Sequence, residues 1–158
     1  MKHRNRHQLD TSADVRLAAM NLLARREHSR LELVRKLRPR VEDDELLVAV
    51  LDKLTEDRLL DDERFCEAFV RMRANGGYGP VRVRAELKEK GVADQLISTY
   101  MAEHEADWFE QAKQVFEKKF GLAPDTDAKS RAKQQRFLAQ RGFSFEQIKS
   151  ALAGNDEY

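Results

Sequence analysis

The sequence predicts an all-α protein, built from three tandem three-helix repeats and forming an elongated helical molecule that can curve. Leu, Ala, Arg and Glu are abundant in a chain of 158 residues with only 7 Gly and 3 Pro, a composition that favours helices over strands. Apolar residues recur at helical spacing along most of the chain, and three helix starts match position by position. Because a short helix pair cannot bury its apolar stripe alone, neighbouring repeats should pack in series.

The three matching helix starts lie at residues 28–33, 78–83 and 143–148, offset by 50 and 65 residues. Ser29 and Ser144 are good N-caps, and the Glu or Gln three residues later completes a capping box in each case. The second start has Gly-Pro instead, with Pro at the first helical position, where its missing N–H is not needed. Each start therefore predicts the beginning of the second helix of a repeat.

The first repeat spans residues 13–58 and follows a flexible basic tail over residues 1–12. We predict its helices over residues 13–27, from Ser29 onward, and over residues 42–57, because apolar residues recur there three and four positions apart. The tail is basic but is followed by no apolar segment, so it does not resemble a secretory signal.

The second repeat spans residues 59–120. Its first helix, over residues 61–74, has an acidic first turn and is predicted to bury a stripe of Phe65, Phe69 and Met72. Glycines directly after it allow a left-handed C-cap. The second helix of this repeat then begins at the Gly-Pro start.

The chain after residue 93 leaves two interpretations open. Residues 93–120 form either one long helix or two helices with a bend near residues 104–107.

A stretch with Gly and Pro at residues 121–125 is the clearest break of the chain. A third, shorter repeat spans residues 121–158, with a helix over residues 128–140 before the last matching start.

Charge alternates along the chain in blocks, although the formal net charge is only +1. The net charge is +7 over residues 1–41, −8 over 42–67, +4 over 68–92, −5 over 93–110 and +3 over 111–158. Such blocks fit solvated helix faces that pair with one another, or separate basic and acidic surfaces that meet a partner. The near-neutral total excludes a uniformly basic protein that holds DNA by bulk charge.

No residue pattern predicts catalysis, a metal site or a cofactor. His3 and His7 have helical spacing but lie in the basic tail, so solvent-exposed histidines are expected there rather than a metal site. Cys66 lies among apolar positions and is expected to be a small core residue. Residues 76–79 contain three glycines before a helix, but no strand precedes them and no Gly-Lys-Ser/Thr follows, so a turn with a helix cap is expected there rather than a phosphate loop. The chain is therefore not expected to be an enzyme.

Arginine-rich segments are the best candidates for a binding surface. A guanidinium presents five donors in a fixed fork, which suits carboxylate and phosphate groups. Arg82 and Arg84 point away from the apolar positions Val83 and Leu87, so both are expected to be exposed. The predicted partner- or DNA-binding residues are Arg25, Arg26, Arg30, Arg35, Arg71, Arg73, Arg82, Arg84 and Lys88.

The same segments carry a resemblance to a known family. Residues 57–73 and 77–92 contain an LDD-x-RF helix start, an R-x-R helix end, a G-x-x-R turn and an EL-x-x-KG helix end, and this combination resembles the RecX regulatory proteins. Residues 23–33 are similar to the family's opening L-x-x-R-x-x-S-x-x-EL pattern. Val83 in place of the common Ile, and Cys66 where Ala is usual, leave the basic positions unchanged.

The resemblance covers about residues 14–152 and implies three tandem three-helix repeats, in agreement with the matching helix starts. It implies a monomeric, cytoplasmic bacterial regulator that binds the RecA filament on DNA and inhibits RecA ATPase, recombinase and co-protease activity. Such a protein modulates DNA repair, recombination and the SOS response, either by capping the filament or by favouring its disassembly.

Two other functions fit the residues. One is a stand-alone DNA-binding protein that acts through basic helix faces on single- or double-stranded DNA, and the other is a helical scaffold for a different protein partner. A single Cys excludes an internal disulfide framework and fits a reducing compartment. No apolar run approaches the ~20 residues that span a bilayer, so no membrane partner is expected.

Overall fold

A computed structural model describes residues 8–154, apart from the side chains of residues 105 and 106, and this part of the chain contains nine α-helices and no strand. The predicted all-α fold class is confirmed. None of the helices in this part of the chain is long and apolar enough to cross a membrane. The helices are α1 (Ser12–Arg25), α2 (Arg30–Leu37), α3 (Asp44–Glu56), α4 (Asp62–Asn75), α5 (Pro80–Glu89), α6 (Asp94–Glu103), α7 (Glu105–Phe120), α8 (Ala128–Arg141) and α9 (Phe145–Ala153).

The described residues form two compact units. The N-terminal unit contains residues 8–66 and 90–92, and the C-terminal unit contains residues 67–89 and 93–154. The N-terminal unit has its own aliphatic core, in which α1, α2 and α3 bury Val15, Ala19, Leu33, Leu37, Val41, Leu47, Val50, Leu51, Leu54 and Leu60. This pattern fits helices that each present one apolar face to a shared interior.

The core of the C-terminal unit is richer in aromatic side chains. Helices α7, α8 and α9 bury a cluster of Ala112, Phe116, Leu138, Phe143, Ile148, Ala151 and Leu152. The rings of Phe120 and Phe116 are tilted relative to each other, with 5.4 Å between their centroids, and Phe120 meets Phe137 edge-on at 5.5 Å. Such tilted and edge-on pairs add to the stability that burial of the rings supplies.

The predicted capping boxes are confirmed at both serine starts. The Ser29 hydroxyl accepts a hydrogen bond from the Glu32 backbone N–H at 3.1 Å, and the Ser29 N–H donates to the Glu32 carboxylate at 3.1 Å. Ser144 and Gln147 make the same reciprocal pair at 3.2 and 2.9 Å. In each case two backbone donors that the helix leaves free are satisfied locally.

Three features differ from the sequence-based expectations or decide between them. Residues 93–120 form two helices, α6 and α7, which meet at His104. Met72 is 56% exposed rather than part of the buried stripe, because the buried face of α4 turns toward Cys66 and Val70 and leaves Met72 outside it. Within the predicted basic tail, residues 1–7 lie outside the described part, whereas Leu9 packs on the N-terminal core and donates its backbone N–H to the Arg40 carbonyl at 2.8 Å.

Candidate functional site

Three guanidinium groups gather around one aromatic ring in the C-terminal unit. The Cζ atoms of Arg73, Arg82 and Arg141 lie 3.8, 4.5 and 5.1 Å from the centroid of the Tyr78 ring. These distances allow a favourable cation–π contact from each arginine. Tyr78, which sequence reasoning assigned only to the start of a helix, is thus the centre of a cationic cluster.

The cluster depends on a close backbone contact between two helix ends. The N–H of Gly79 donates to the Arg141 carbonyl at 2.8 Å, and the N–H of Val81 donates to the Gly142 carbonyl at 2.9 Å. Gly142 has a φ of +100°, and a Cβ atom added there would lie only 2.8 Å from the Arg82 backbone nitrogen. Glycine is therefore required for the start of α5 to dock beside the end of α8.

One carboxylate serves two of these arginines. Glu86 accepts a hydrogen bond from Arg73 Nη2 at 2.5 Å and another from Arg82 Nε at 2.9 Å. Burial alone would raise the pKa of Glu86, but the hydrogen bonds and charges of Arg73 and Arg82 outweigh it and lower the pKa. Because Arg141 adds a third positive charge, the cluster keeps an excess of positive charge.

The remaining predicted residues of the C-terminal unit lie at its surface. Arg71 is exposed and bonds Glu67 one helical turn away at 3.0 Å. Lys88 is 58% exposed and lies 3.6 Å from Asp94. Arg84 is exposed and forms no ion pair with any residue that the structure describes. The expectation that Arg82 and Arg84 are exposed is confirmed, since 44% of the Arg82 side chain is also accessible.

The predicted arginines of the N-terminal unit are more fully engaged with carboxylates. Arg26 donates a bidentate pair of hydrogen bonds to the Glu32 carboxylate, at 3.1 and 3.0 Å, and Arg30 donates to Asp52 at 2.7 Å. Arg25 and Arg35 are exposed on α1 and α2. Exposed carboxylate pairs of this kind contribute little stability, but they neutralise the guanidinium charge.

Glu32 is the exception among these carboxylates because it is buried. Burial would raise its pKa, but hydrogen bonds from Arg26 and from the Ser29 N–H, with the charges of Arg26 and Lys90, lower the pKa to about 2. Lys90 Nζ lies 3.3 Å from Glu32, and the Ser29 hydroxyl donates to the Lys90 carbonyl at 2.7 Å. Arg26 and Lys90 are therefore both partners of one buried charge in the N-terminal unit.

Sequence reasoning missed Arg141, Lys118 and Lys119. Arg141 stands just before a glycine that ends α8, a position that marked a helix stop rather than a site. Only the fold shows that its guanidinium reaches both Tyr78 and, at 5.4 Å, the ring of Phe137. The lysines occupy the last turn of α7, where basic residues commonly offset the helix dipole.

The described residues offer no cluster of three or more His, Cys, Asp and Glu side chains that could hold a metal ion. Cys66 is fully buried, and burial together with the nearby charges of Asp62 and Glu63 raises the pKa of its thiol to about 11. A thiol with that pKa is protonated at neutral pH and is a poor nucleophile. The chemistry that this surface can perform is recognition of anionic groups by guanidinium donors.

Comparison with known proteins identifies relatives that match most of this chain. The models of the second and third three-helix domains of RecX match residues 61–101 and 105–152. The regulatory protein RecX of Pseudomonas entomophila (strain L48) is 49% identical over 150 residues, which cover 95% of this chain and 97% of that protein. The regulatory protein RecX of Ectopseudomonas mendocina (strain ymp) is 48% identical over 149 residues, or 94% of this chain and 99% of that protein.

A solved structure supports the fold independently of close sequence similarity. The crystal structure of RecX from Lactobacillus salivarius has a TM-score of 0.79 at 22% identity, covering 93% of this chain and 97% of that chain. The match to the third three-helix domain spans α7, α8 and α9, which share one buried core. The predicted repeat boundaries at residues 58 and 120 stay predictions.

Proposed function

Because the chain belongs to the RecX family of regulatory proteins, we propose that it binds the RecA filament on DNA and inhibits its ATPase, recombinase and co-protease activities. It acts in the cytoplasm, as a monomer, and so modulates DNA repair, recombination and the SOS response. The observation that carries this proposal is 49% identity to a regulatory protein RecX over 95% of the chain.

The proposed contact surface is the set of predicted basic residues, and its strongest part is in the C-terminal unit. Arg82 and Arg84 are exposed on α5, and Arg82 belongs to a cluster in which one carboxylate serves two guanidiniums. Arg26 and Arg30 already bond carboxylates of their own unit, so they should contribute less to a partner. Acidic side chains of a filament and phosphates of its DNA are both suitable acceptors.

The direct test adds the purified protein to RecA on single-stranded DNA and measures ATP hydrolysis. We expect hydrolysis to fall at substoichiometric or near-stoichiometric amounts of the protein relative to RecA. Unchanged hydrolysis, together with no co-sedimentation with the filament, would overturn the proposal.

A charge-reversal variant tests the contact surface. Arg82→Glu with Arg84→Glu should weaken filament binding and relieve the inhibition, while helicity measured by circular dichroism stays unchanged. The matched control is Lys129→Glu with Lys133→Glu on α8, which makes the same change of charge at two exposed positions. If the control weakens binding equally, the contact depends on net charge and not on this surface.

Stand-alone DNA binding is the second candidate function. It is favoured by Arg25 and Arg84, which are exposed and form no ion pair within the described residues. This function requires DNA binding without RecA, with an affinity that falls steeply with salt because several phosphate contacts release counterions. DNA binding that appears only with RecA present would exclude it.

A further inference from the structure

A cleft in the C-terminal unit lies between α7 and α8 and is closed by the turn that follows α4. Its volume is about 420 Å³, within the range of small-molecule sites. The turn is part of the glycine-rich stretch at residues 76–79, which lacks the sequence context of a phosphate loop. The lining residues are Asn75, Gly76, Gly77, Gln111, Gln114, Val115, Lys118, Lys119, Phe137 and Arg141.

All the charged side chains that line this cleft are positive. Lys118, Lys119 and Arg141 supply three cations, and no carboxylate lines the cleft. None of the three forms an ion pair with a residue in the described part of the chain, in contrast to Arg26, Arg30, Arg71 and others that do. The helix dipole explains why lysines occupy the last turn of α7. It does not explain why Arg141 and the Phe137 ring line the same cleft.

Two of these cations lie next to aromatic rings. The Arg141 guanidinium lies 5.1 Å from the Tyr78 centroid and 5.4 Å from the Phe137 centroid. Lys119 Nζ lies 5.5 Å from the centroid of the same Phe137 ring. Because each ring contact favours a position of the cation that lines the cleft, part of the cationic surface is already in place for an anion.

The opposite side of the cleft is apolar and is shaped by a glycine. Gly77 has a φ of +84°, and a Cβ atom there would lie 3.2 Å from Val115 Cγ2 and 4.0 Å from Arg141 Nη1. A larger residue at this position would therefore narrow the cleft between its apolar and cationic sides. Val115 and Phe137, both partly buried, supply an apolar surface next to the amides of Gln111 and Gln114.

We propose that this cleft binds a nucleotide unit, with its phosphate on Lys118, Lys119 and Arg141 and its base against Phe137 and Val115. A cationic groove beside an aromatic side chain is the arrangement that binds phosphate and base together. The ligand is either a free nucleoside phosphate or one nucleotide of a single strand, since both carry the same two groups. The site shares Arg141 with the Tyr78 cluster but does not include Arg82 or Arg84, and it does not depend on RecA binding.

The test titrates the full chain, without RecA, with deoxythymidine monophosphate, with oligothymidylate and with pyrophosphate, using calorimetry and amide chemical shifts. We expect the monophosphate or the oligomer to bind and to shift amides of residues 75–77 and of α7. Tighter binding of the oligomer identifies a strand as the ligand, and comparable binding of the monophosphate identifies a free nucleotide. Pyrophosphate should bind more weakly than the better nucleotide probe, because it offers no base to Phe137.

The variant Lys118→Gln with Lys119→Gln should lower the affinity for the better probe by about tenfold or more, equivalent to ~1.4 kcal/mol. Both lysines are exposed, so the fold should be retained. The matched control, Lys129→Gln with Lys133→Gln, removes two exposed lysines outside the lining and should leave the affinity within about twofold. Absence of binding by all three probes, or an equal loss in the control, would overturn the proposal.

Discussion

The arginines of the two units are engaged in different ways. In the N-terminal unit three guanidiniums each bond a different carboxylate: Arg26 bonds Glu32, Arg30 bonds Asp52 and Arg64 bonds Glu27. In the C-terminal unit Arg73 and Arg82 share Glu86, and both share the Tyr78 ring with Arg141. The first arrangement neutralises charge pair by pair, whereas the second concentrates it.

The difference shows that arginine content alone does not identify a binding surface. Arg26 is half exposed, but its guanidinium is ion-paired with the buried carboxylate of Glu32, which also pairs with Lys90. The Tyr78 ring holds three guanidiniums close together, and the one carboxylate of Glu86 offsets only part of their positive charge, so the rest remains available to an anionic partner. The N-terminal arginines should therefore matter more for stability, and the C-terminal arginines more for binding.

The largest effect is expected from Gly142→Ala, which would separate the helix ends that assemble the C-terminal cluster. A Cβ atom would meet the Arg82 backbone at a position with φ of +100°, so both clash and backbone strain oppose folding. We expect a loss of about 3 kcal/mol or more in the free energy of unfolding, measured by urea denaturation.

The matched control for this variant is Gly121→Ala. Gly121 also has a positive φ, of +84°, but nothing lies within 4 Å of an added Cβ atom. The cost there should be about 1–3 kcal/mol, from backbone conformation alone, because a φ of 84° with a ψ of 178° is adopted almost only by glycine. Equal losses in the two variants would show that the contact between the helix ends contributes no stability.

The next effect concerns Glu32→Gln in the N-terminal unit. Gln can still close the capping box, as Gln147 does in α9, so the substitution isolates the loss of the charge between Arg26 and Lys90. We expect a loss on the order of 2 kcal/mol, since Glu32 is buried but Arg26 is half exposed. Urea denaturation at neutral pH is the measurement, and a loss as small as that of Glu86→Gln would contradict the contrast between the units.

Folding stability at low pH should also show the contribution of the Glu32 carboxylate. The pKa of Glu32 is lowered from 4.5 to about 2 in the folded protein, so its stabilisation is present above pH 4.5 and is lost as the pH falls toward 2. Folding stability measured across this range should decline by an amount on the order of 2 kcal/mol in the natural sequence. In Glu32→Gln this part of the decline should be absent, and an unchanged acid profile would assign it to other carboxylates.

The smallest stability effect, about 1 kcal/mol, is expected for Glu86→Gln, because Arg73 and Arg82 keep their contacts with Tyr78. Although Glu86→Gln should lower stability, it should increase the affinity for the filament. Removing the one carboxylate of the cluster should strengthen binding to the RecA–DNA filament and make it more sensitive to salt, whereas Glu32→Gln should leave binding unchanged. Co-sedimentation at several salt concentrations measures this, and weaker binding of Glu86→Gln would assign Glu86 itself to the contact.

Much of the fold could be predicted because its signals are local. Ser29 and Glu32, or Ser144 and Gln147, are three residues apart, and a hydrogen bond between them depends only on the chain between them. The buried apolar stripe on α4 was harder to predict, because the spacing of Met72 alone is compatible with a position on the buried face. Packing decided that Cys66 and Val70 face the interior and that Met72 is exposed.

The candidate site could be predicted in part. Arg73 and Arg82 were identified from arginine density, but Arg141 and the role of Tyr78 were not. Arg82 and the end of α8 come together across 58 residues of sequence, where Arg82 Nη1 donates to the Gln140 carbonyl. No spacing rule connects positions so far apart, because their meeting depends on how α5 docks beside α8.

By itself, the sequence determined the helices, their caps, the alternation of charge and the resemblance to the RecX family, since each of these depends on residues close together in the chain. The tertiary structure alone decided which cations share a partner. Separate carboxylates bond Arg26, Arg30 and Arg64 in the N-terminal unit, while the glycine contact between α5 and the end of α8 gathers three C-terminal arginines on one ring. Charge along a chain is a property of composition, but charge at a surface depends on which groups the fold brings within a few ångströms of one another.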